Sequence, residues 1–479
     1  MTQPYGFTIR NTYRDLPKLF YADSLPMRFV DPSYTFVNRA LADELRLDIK
    51  ALRTERGCRF LIGETGHDEA RPLAMAYAGH QYGQFTVLGD GRAHLRLEHD
   101  TSEGLLDIHL KGSGKTPFSR GFDGRATLRS ALLEYLYSEA LCALGVPTTR
   151  SLAIITTGDE IKRIGPTAAA VLVRVAKSHL RVGTFEYAAH RGDLDALKAL
   201  ADFAIERHDA DLSELPGRYL TWYKRIIARQ AALIAQWQAI GFVHGVMNTD
   251  NTAISGESID YGPCAFIDNY DLNAVYSSID AHGRYAYGNQ PYIGSWNLAK
   301  LGEAILPLID ADPKAARRKT HEALVDFGPQ FEHYYRDHMG KKLGFASIKD
   351  RDDNLIQTLL GLMETYDADY TATFTALTTQ RDAGESLFDS SEYASWKTRW
   401  QARLHEENTP FVRMQAHNPA IIPRNQVVKS ALDKAAHDGD FGDYMGLLEA
   451  VRHPFDTAAP RAYRTVPKNK EPFVTYCGT

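Results

Sequence analysis

Cysteine is scarce in this chain, with four in 479 residues (Cys58, Cys142, Cys264 and Cys477) and no CxxC pair. That scatter excludes a zinc-ribbon type of site and a disulfide framework as the basis of the fold. Long hydrophobic runs are missing too. The opening "MTQPYGFTIRNTYRDLPKLF" holds no apolar core of signal-peptide length, and no later run reaches the length that spans a bilayer. A cytoplasmic chain without a membrane partner is therefore expected. Positive charge is not in excess: 55 Lys and Arg stand against 60 Asp and Glu, a net charge of −5. No global basic field draws nucleic acid, and none is expected as a partner. Internal repeats and low-complexity segments are absent as well.

What is present is ordinary in bulk, 44% hydrophobic and 24% charged residues, in a length that allows two to four compact units or one large bilobal enzyme. "FVNRALADELRLDIKAL" has a helical pattern. From about 83 to 112, "GQFTVLGDGRAHLRLEHD" and "LLDIHLKGSG" alternate apolar and polar residues around Gly and Asp turns, as hairpins do. "ATLRSALLEYLYSEALCALG" predicts a helix that stops at Gly145 and Pro147. "SLAIITT" and "AAVLVRVA" predict two more strands, with Gly158-Asp159 as a turn between the first and "EIKRI". After about 190 the pattern turns helical and stays so, except for the strand-like "CAFIDNY".

The expected fold is α+β: a mainly β first lobe, a helical second lobe and a helical C-terminal extension, as in a protein kinase. The expected divisions are 1–75, an N-terminal segment; 76–190, the first lobe; 191–310, the second lobe; and 311–479, the extension.

The chemistry-bearing stretch is "GFVHGVMNTDNTAISGESIDYG", residues 241–262. Kinases carry H-R-D-x-x-x-x-N, where Asp accepts the substrate proton and Asn holds a metal. His244 and Asn251 keep that spacing, but Val246 stands where the Asp would be, and "DYG" follows at Asp260. Valine cannot take a proton. Asn251 and Asp260 are oxygen ligands of the kind that hold Mg²⁺ against phosphates. Asp250, beside Asn251, is a carboxylate without a kinase counterpart. Asp268 and Asp271 read as turn and capping residues, and His244 as a structural loop histidine.

Cations for phosphate come from three places. Lys111 ends the strand "DIHLK", and the next helix offers Glu134 and Glu139 as partners. These lie about 140° apart around a helix, so only one can face the lysine; the Leu128, Leu132, Leu136 stripe favours Glu139. "LGDGRA" contributes Gly89, Gly91 and Arg92. "KGSGKTPFSRGFDGRA" is a Gly-rich cationic loop, but its Walker A register would need glycine at position 109, which is His109, so it is not a P-loop. It remains an anion-binding loop ahead of a helix. Arg174 and Arg181 add two fixed charges.

"AMAYAGHQYGQFTVLGDGRA", "LKGSGKTPFSRGFDGRATLRS", "GVPTTRSL", "GFVHGVMNTDNTAISGESIDYGP" and "GRYAYGNQPYIGSWNL" together resemble the selenoprotein O family, whose bacterial members are of the YdiU type. The likeness runs nearly the whole length, and it implies a kinase-like fold that binds ATP in reverse and transfers AMP to Ser, Thr or Tyr hydroxyls of proteins. Transfer of UMP with Mn²⁺ is also associated with bacterial members. The resemblance implies nucleotide contacts from Gly89, Gly91, Arg92, Lys111, Asp123, Gly124, Arg174, Arg181 and Asp260. It makes Asp250 the proton acceptor, Asn251 and Asp260 the Mg²⁺ ligands, and Glu134, against the wheel preference, the partner of Lys111. In the family the antepenultimate residue is selenocysteine or cysteine, here Cys477. Some relatives pair it with a cysteine at the position of Tyr276, so a redox latch lacks its second thiol here; Cys264 reads as a buried small residue. Self-modification is open to a chain with 25 tyrosines, none of which stands out. The rival readings are a γ-phosphate kinase, against which Val246 speaks, and an inactive nucleotide-binding scaffold, against which the kept Lys111, Asp250, Asn251 and Asp260 speak.

Overall fold

The computed structural model describes residues 4–163, 165–381, 384–465 and 473–475. Thirteen strands occur among them: β1 (Ile9–Arg10), β2 (Tyr21–Asp23), β3 (Ser33–Val37), β4 (Leu73–Met75), β5 (Ala78–Gln81), β6 (Gln84–Val87), β7 (Ala93–Thr101), β8 (Gly104–Lys111), β9 (Ala126–Thr127), β10 (Arg150–Lys162), β11 (Pro166–Ala176), β12 (Phe242–Val243) and β13 (Ala265–Phe266). Nine form one antiparallel sheet in the order β2-β4-β7-β8-β11-β10-β3, with β1 on β7 and β9 on β11. The first 75 residues supply β1 to β4 of this sheet. The architecture is mixed, a large antiparallel sheet followed by helices.

Register sets up the site. Lys111 lies opposite Ala93 on β7 and Leu172 on β11, while His109 lies opposite Arg174. Cross-strand partners and residues two apart share a face, so Lys111, His109 and Arg174 project together. The helix Leu128–Ala143 packs on that face. Thr127 caps its start by accepting the Ser130 N–H. Twelve of its residues are buried, Glu134 and Glu139 among them, so it is covered on every side.

Two expectations needed correction. Gly158-Asp159 is not a turn: β10 runs through it to Lys162 with a bulge between Thr156 and Glu160, and the Arg163 N–H donates to the Gly165 carbonyl. Gly158 has φ +74, and a Cβ there would fall 2.7 Å from Asp31, so the glycine serves the bulge. The helix expected from "FVNRALADELRLDIKAL" is two short ones, Arg39–Glu44 and Ile49–Leu52. Asn38 and Asp48 each cap one by accepting a backbone N–H, and Arg46 at φ +56 breaks the run between them.

The helix Arg218–Ile240 leads into β12 and the 241–262 stretch. The helices beyond residue 290 are not a detached appendage. One hydrophobic cluster joins Ala239, Val243, Ile267 and Tyr287 to residues from Met339 to Met414. The helix Gly442–Arg452 returns to the first part of the chain, where Tyr444 donates to the Leu132 carbonyl at 2.9 Å. Among the described residues no helix is long and apolar enough to cross a membrane.

Candidate active site

A cavity of about 590 Å³ opens between the sheet, the helix Leu128–Ala143 and the 241–262 stretch. Gly89, Gly91, Arg92, Lys111, Asp123, Gly124, Glu134, Arg174, Arg181, Asp250, Asn251 and Asp260 all line it, so the sequence candidates converge on one place. Cys477 lies outside the described residues. Eight Lys and Arg against five Asp and Glu line the walls, an excess of three positive charges in a chain whose net charge is −5. Such a concentration of cations suits a polyphosphate.

Its floor is a buried ionic cluster. Lys111 Nζ bonds Glu134 and lies 2.7 Å from Asp260 Oδ1; Arg174 reaches Glu134 Oε2 at 2.7 Å and Asp260 Oδ1 at 2.6 Å. Glu139 faces the other way and takes Arg150 at 2.9 Å. Burial opposes ionisation of Asp260 and Glu134, but the charges of Arg174 and Lys111 outweigh it and hold both carboxyls low. Arg181 sits 3.9 Å from Asp260 Oδ2, with its guanidinium 4.4 Å above the Tyr77 ring. Lys111, Arg174 and Arg181 carry three charges against two on Glu134 and Asp260.

Asp250 and Asn251 ride on the short 3-10 turn Thr249–Asn251. The Asn251 amide donates to the Val246 carbonyl at 2.9 Å, which leaves its own carbonyl oxygen as the available donor to a cation. Arg181 donates to the Asp250 carbonyl at 3.1 Å. The Asp250 carboxyl is buried, its Oδ1 has no hydrogen-bond partner among the described residues, and burial raises its pKa from 3.8 to about 6. Val246, which stands where the kinase sequence motif has its Asp, lines the same cavity. His244 is fully buried, stacks on Trp237 and donates to the Ile259 carbonyl at 2.8 Å, which ties together the two halves of the stretch.

The Gly89-Asp90-Gly91 turn is held from below. Asp90 accepts the Met75 N–H and His109 Nε2, each at 3.1 Å, and its carbonyl accepts Thr116 Oγ1 at 2.6 Å. Gly89, at φ +99, lies so close to Phe118 that a Cβ would fall 2.5 Å from the ring. The cationic loop thus packs on the turn. Asp123 faces the cavity, but Arg163 holds its carboxylate through two bonds, at 2.7 and 3.0 Å, and the Arg125 N–H holds it at 2.9 Å.

Sequence reasoning missed Tyr77, the Asp90–His109 support and the hairpin β5–β6. The hairpin clamps the 248–251 turn: His80 N–H donates to Thr249 Oγ1 at 2.7 Å and Tyr82 N–H to Asn248 Oδ1 at 3.1 Å. Its signal was available, since Tyr82-Gly83 divides two short alternating runs. Asp268 is more than a turn residue: it meets Arg424 at 3.3 Å. Asp271 does close a turn, by accepting the Asn273 N–H.

The cation ligands fit a hard divalent ion. Among the described residues no group of three or more His, Cys, Asp and Glu could hold a metal. A cation here would rest on Asn251 and Asp260 and complete its shell from water and phosphate, as Mg²⁺ does. Cys264 is buried, donates to the Tyr261 carbonyl at 3.1 Å and is pushed up in pKa by burial, so it is inert. Tyr276 packs against Phe473, and its carbonyl accepts the Thr475 N–H at 2.8 Å.

A family model described as Protein adenylyltransferase SelO matches residues 6–452. Curated relatives bear the name Protein nucleotidyltransferase YdiU. That of Geobacillus kaustophilus (strain HTA426) is 50% identical over 481 residues, 99% of each chain. That of Bacillus cytotoxicus is 47% identical, covering 100% of this chain and 99% of its own. That of Clostridium perfringens (strain 13 / Type A) is 46% identical, covering 99% and 98%.

Proposed function

The chain belongs to the SelO family of protein adenylyltransferases, and from that premise we propose that its cavity transfers AMP from ATP to a Ser, Thr or Tyr hydroxyl of a protein. The observation that carries the reading is the pairing of Val246 with Asp250 in one cavity: the kinase base position is apolar, and a carboxylate titrating at about 6 stands four residues on. A base that has moved along the turn serves a different phosphorus.

In this reading ATP lies with its tail inward. The γ- and β-phosphates rest on Lys111, Arg174 and Arg181, with Gly89, Gly91, Arg92 and the 111–126 loop closing over them. The α-phosphate then faces Asp250. The acceptor oxygen forms a bond to the α-phosphorus as its proton passes to Asp250. The bridging bond between α and β breaks, and its electron pair leaves with pyrophosphate. Fixed cations on the departing charge need no reorganisation during the step, which is where most of the barrier lowering arises. A divalent cation, Mg²⁺ or Mn²⁺, held by Asn251 and Asp260, would supply further positive charge to the phosphates. Asp123 would act through Arg163 by shaping the loop. UTP could replace ATP where Mn²⁺ is the ion.

The same reading makes the sheet with its helix the first lobe of a kinase-like pair and the helices from Arg218 onward the second. It places the protein in the cytoplasm, where ATP and acceptor proteins meet. ATP labelled at either the α- or the γ-phosphate separates the alternatives. Label on protein from the α position alone supports adenylyl transfer, from γ alone a kinase, and from neither an inactive scaffold.

A further inference from the structure

A second cavity, of about 250 Å³, lies beside the C-terminal end of the helix Arg218–Ile240, lined by Leu144, Gln236, Ile240, His338, Lys342 and His417 among others. Lys342 is its defining group. The residue is 3% exposed, its ammonium lies 4.0 Å above the Phe374 ring and 5.2 Å from Tyr370, and no carboxylate pairs with it among the described residues. A buried lysine ordinarily has an acid beside it, because an unpaired charge in an apolar setting is costly.

The neighbours deepen the imbalance. His338, one turn earlier on the helix Phe327–Lys342, and His417 bring two more bases to the same walls. His417 donates through Nδ1 to the Arg413 carbonyl at 2.8 Å, so its Nε2 is left. Asp337, the acid that acts on His338, is already taken by Lys341 at 2.7 Å. The helix end at Ile240 does not neutralise the lysine either, since Tyr287 and Tyr370 donate to the carbonyls of Gln238 and Ala239. Gln236 Oε1 is buried without a hydrogen-bond partner among the described residues, and an amide flip would present its N–H₂ there instead.

We propose that this cavity is a binding site for a small oxyanion, a phosphate or carboxylate group held by Lys342 with His338, His417 and Gln236 around it. Burial lowers the Lys342 amine to about 7 and His338 to about 4, which leaves both partly or wholly uncharged at neutral pH. An anion would favour their charged forms, so binding should take up protons. The site is independent of nucleotide transfer.

Calorimetric titration of the full chain with orthophosphate, and separately with acetate, tests it. The active site contributes equally to wild type, Lys342→Met and Lys342→Arg, so any difference belongs to Lys342. At pH 7.5, in two buffers of different ionisation heat, wild type should bind one of the two anions with uptake of more than about half a proton. Lys342→Met should weaken that event at least tenfold or so, and Lys342→Arg should keep it. Should Lys342→Met not fold, His338→Gln, at a half-buried position, should weaken the same event. Phosphate alone would identify a phosphate ligand, and acetate a carboxylate. Identical isotherms for wild type and the variants, or no binding of either anion, would overturn the proposal.

Discussion

Gly79 on β5 lies against Asp250 so closely that a Cβ built on it would fall 2.2 Å from Asp250 Oδ1. The hairpin β5–β6 thereby fixes the carboxylate that would accept the acceptor proton. Gly79→Ala must move either the hairpin or Asp250. Turnover should fall about 100-fold while ATP affinity changes little, since a displacement of about 1 Å suffices for such a loss. Parallel measurement of kcat and of ATP binding would check this; unchanged kcat would remove the hairpin from the account.

Asp250 itself trades stability for chemistry. Its folded-state pKa of about 6 lies above the model-compound 3.8, so the folded chain binds this proton more tightly than the unfolded one. Stability is therefore lost as pH rises from about 4 through about 6, and the loss is complete above that. Asp250→Asn should raise the melting temperature at pH 7.5, by about 1–3 kcal/mol in stability, and leave it unchanged at pH 4. The same variant should lower turnover about a thousandfold. A variant that loses activity and stability together would contradict a functional carboxylate held at a cost.

The pH profile follows from the same group. If Asp250 is the proton acceptor proposed above it must be ionised, so kcat/KM should fall as pH drops through about 6. That acidic limb should vanish from the residual activity of Asp250→Ala. A limb that persists unaltered would assign it to another group.

Glu134 and Asp260 share Lys111 and Arg174, so removing one carboxylate leaves buried cations short of a partner. Glu134→Gln should destabilise the chain by about 3 kcal/mol in thermal or urea unfolding. Glu139→Gln should spare the transfer reaction, because Glu139 serves Arg150 outside the cavity.

How far these contacts were legible from residues alone varied with the physics of each. Lys111, Asn251 and Asp260 stood out because phosphate and metal chemistry demand particular groups at particular spacings, while Asp250 took its role from the family resemblance. The choice between Glu134 and Glu139 was misjudged on the helical wheel, since the stripe argument assumes one dry face and this helix is buried all round. The Gly158 bulge read as a turn because a positive-φ glycine suits both. Asp123 entered only as a nucleotide contact that the family resemblance implies, and only the fold shows it gripped by Arg163, 40 residues away. Lys342 and His338 carried no signal at all, because a lysine in a helix reads as solvated until its surroundings are known.

Asn251→Ala and Asp260→Asn should each raise the Mg²⁺ concentration needed for half-maximal transfer by about tenfold, since in the proposed site the first removes a ligand oxygen and the second the charge of the ligand carboxylate. Titration of transfer rate against Mg²⁺ would show it, and an unshifted midpoint in both variants would place the ion elsewhere.

Nucleotide polarity is the hinge of the whole account, and a crystal structure with Mg²⁺ and an ATP analogue that cannot be cleaved between α and β measures it directly. The terminal phosphate should be found on Lys111, Arg174 and Arg181, with the α-phosphorus nearest to Asp250. A terminal phosphate pointing at Asp250, with the α-phosphate on the lysine, would contradict adenylyl transfer by this site.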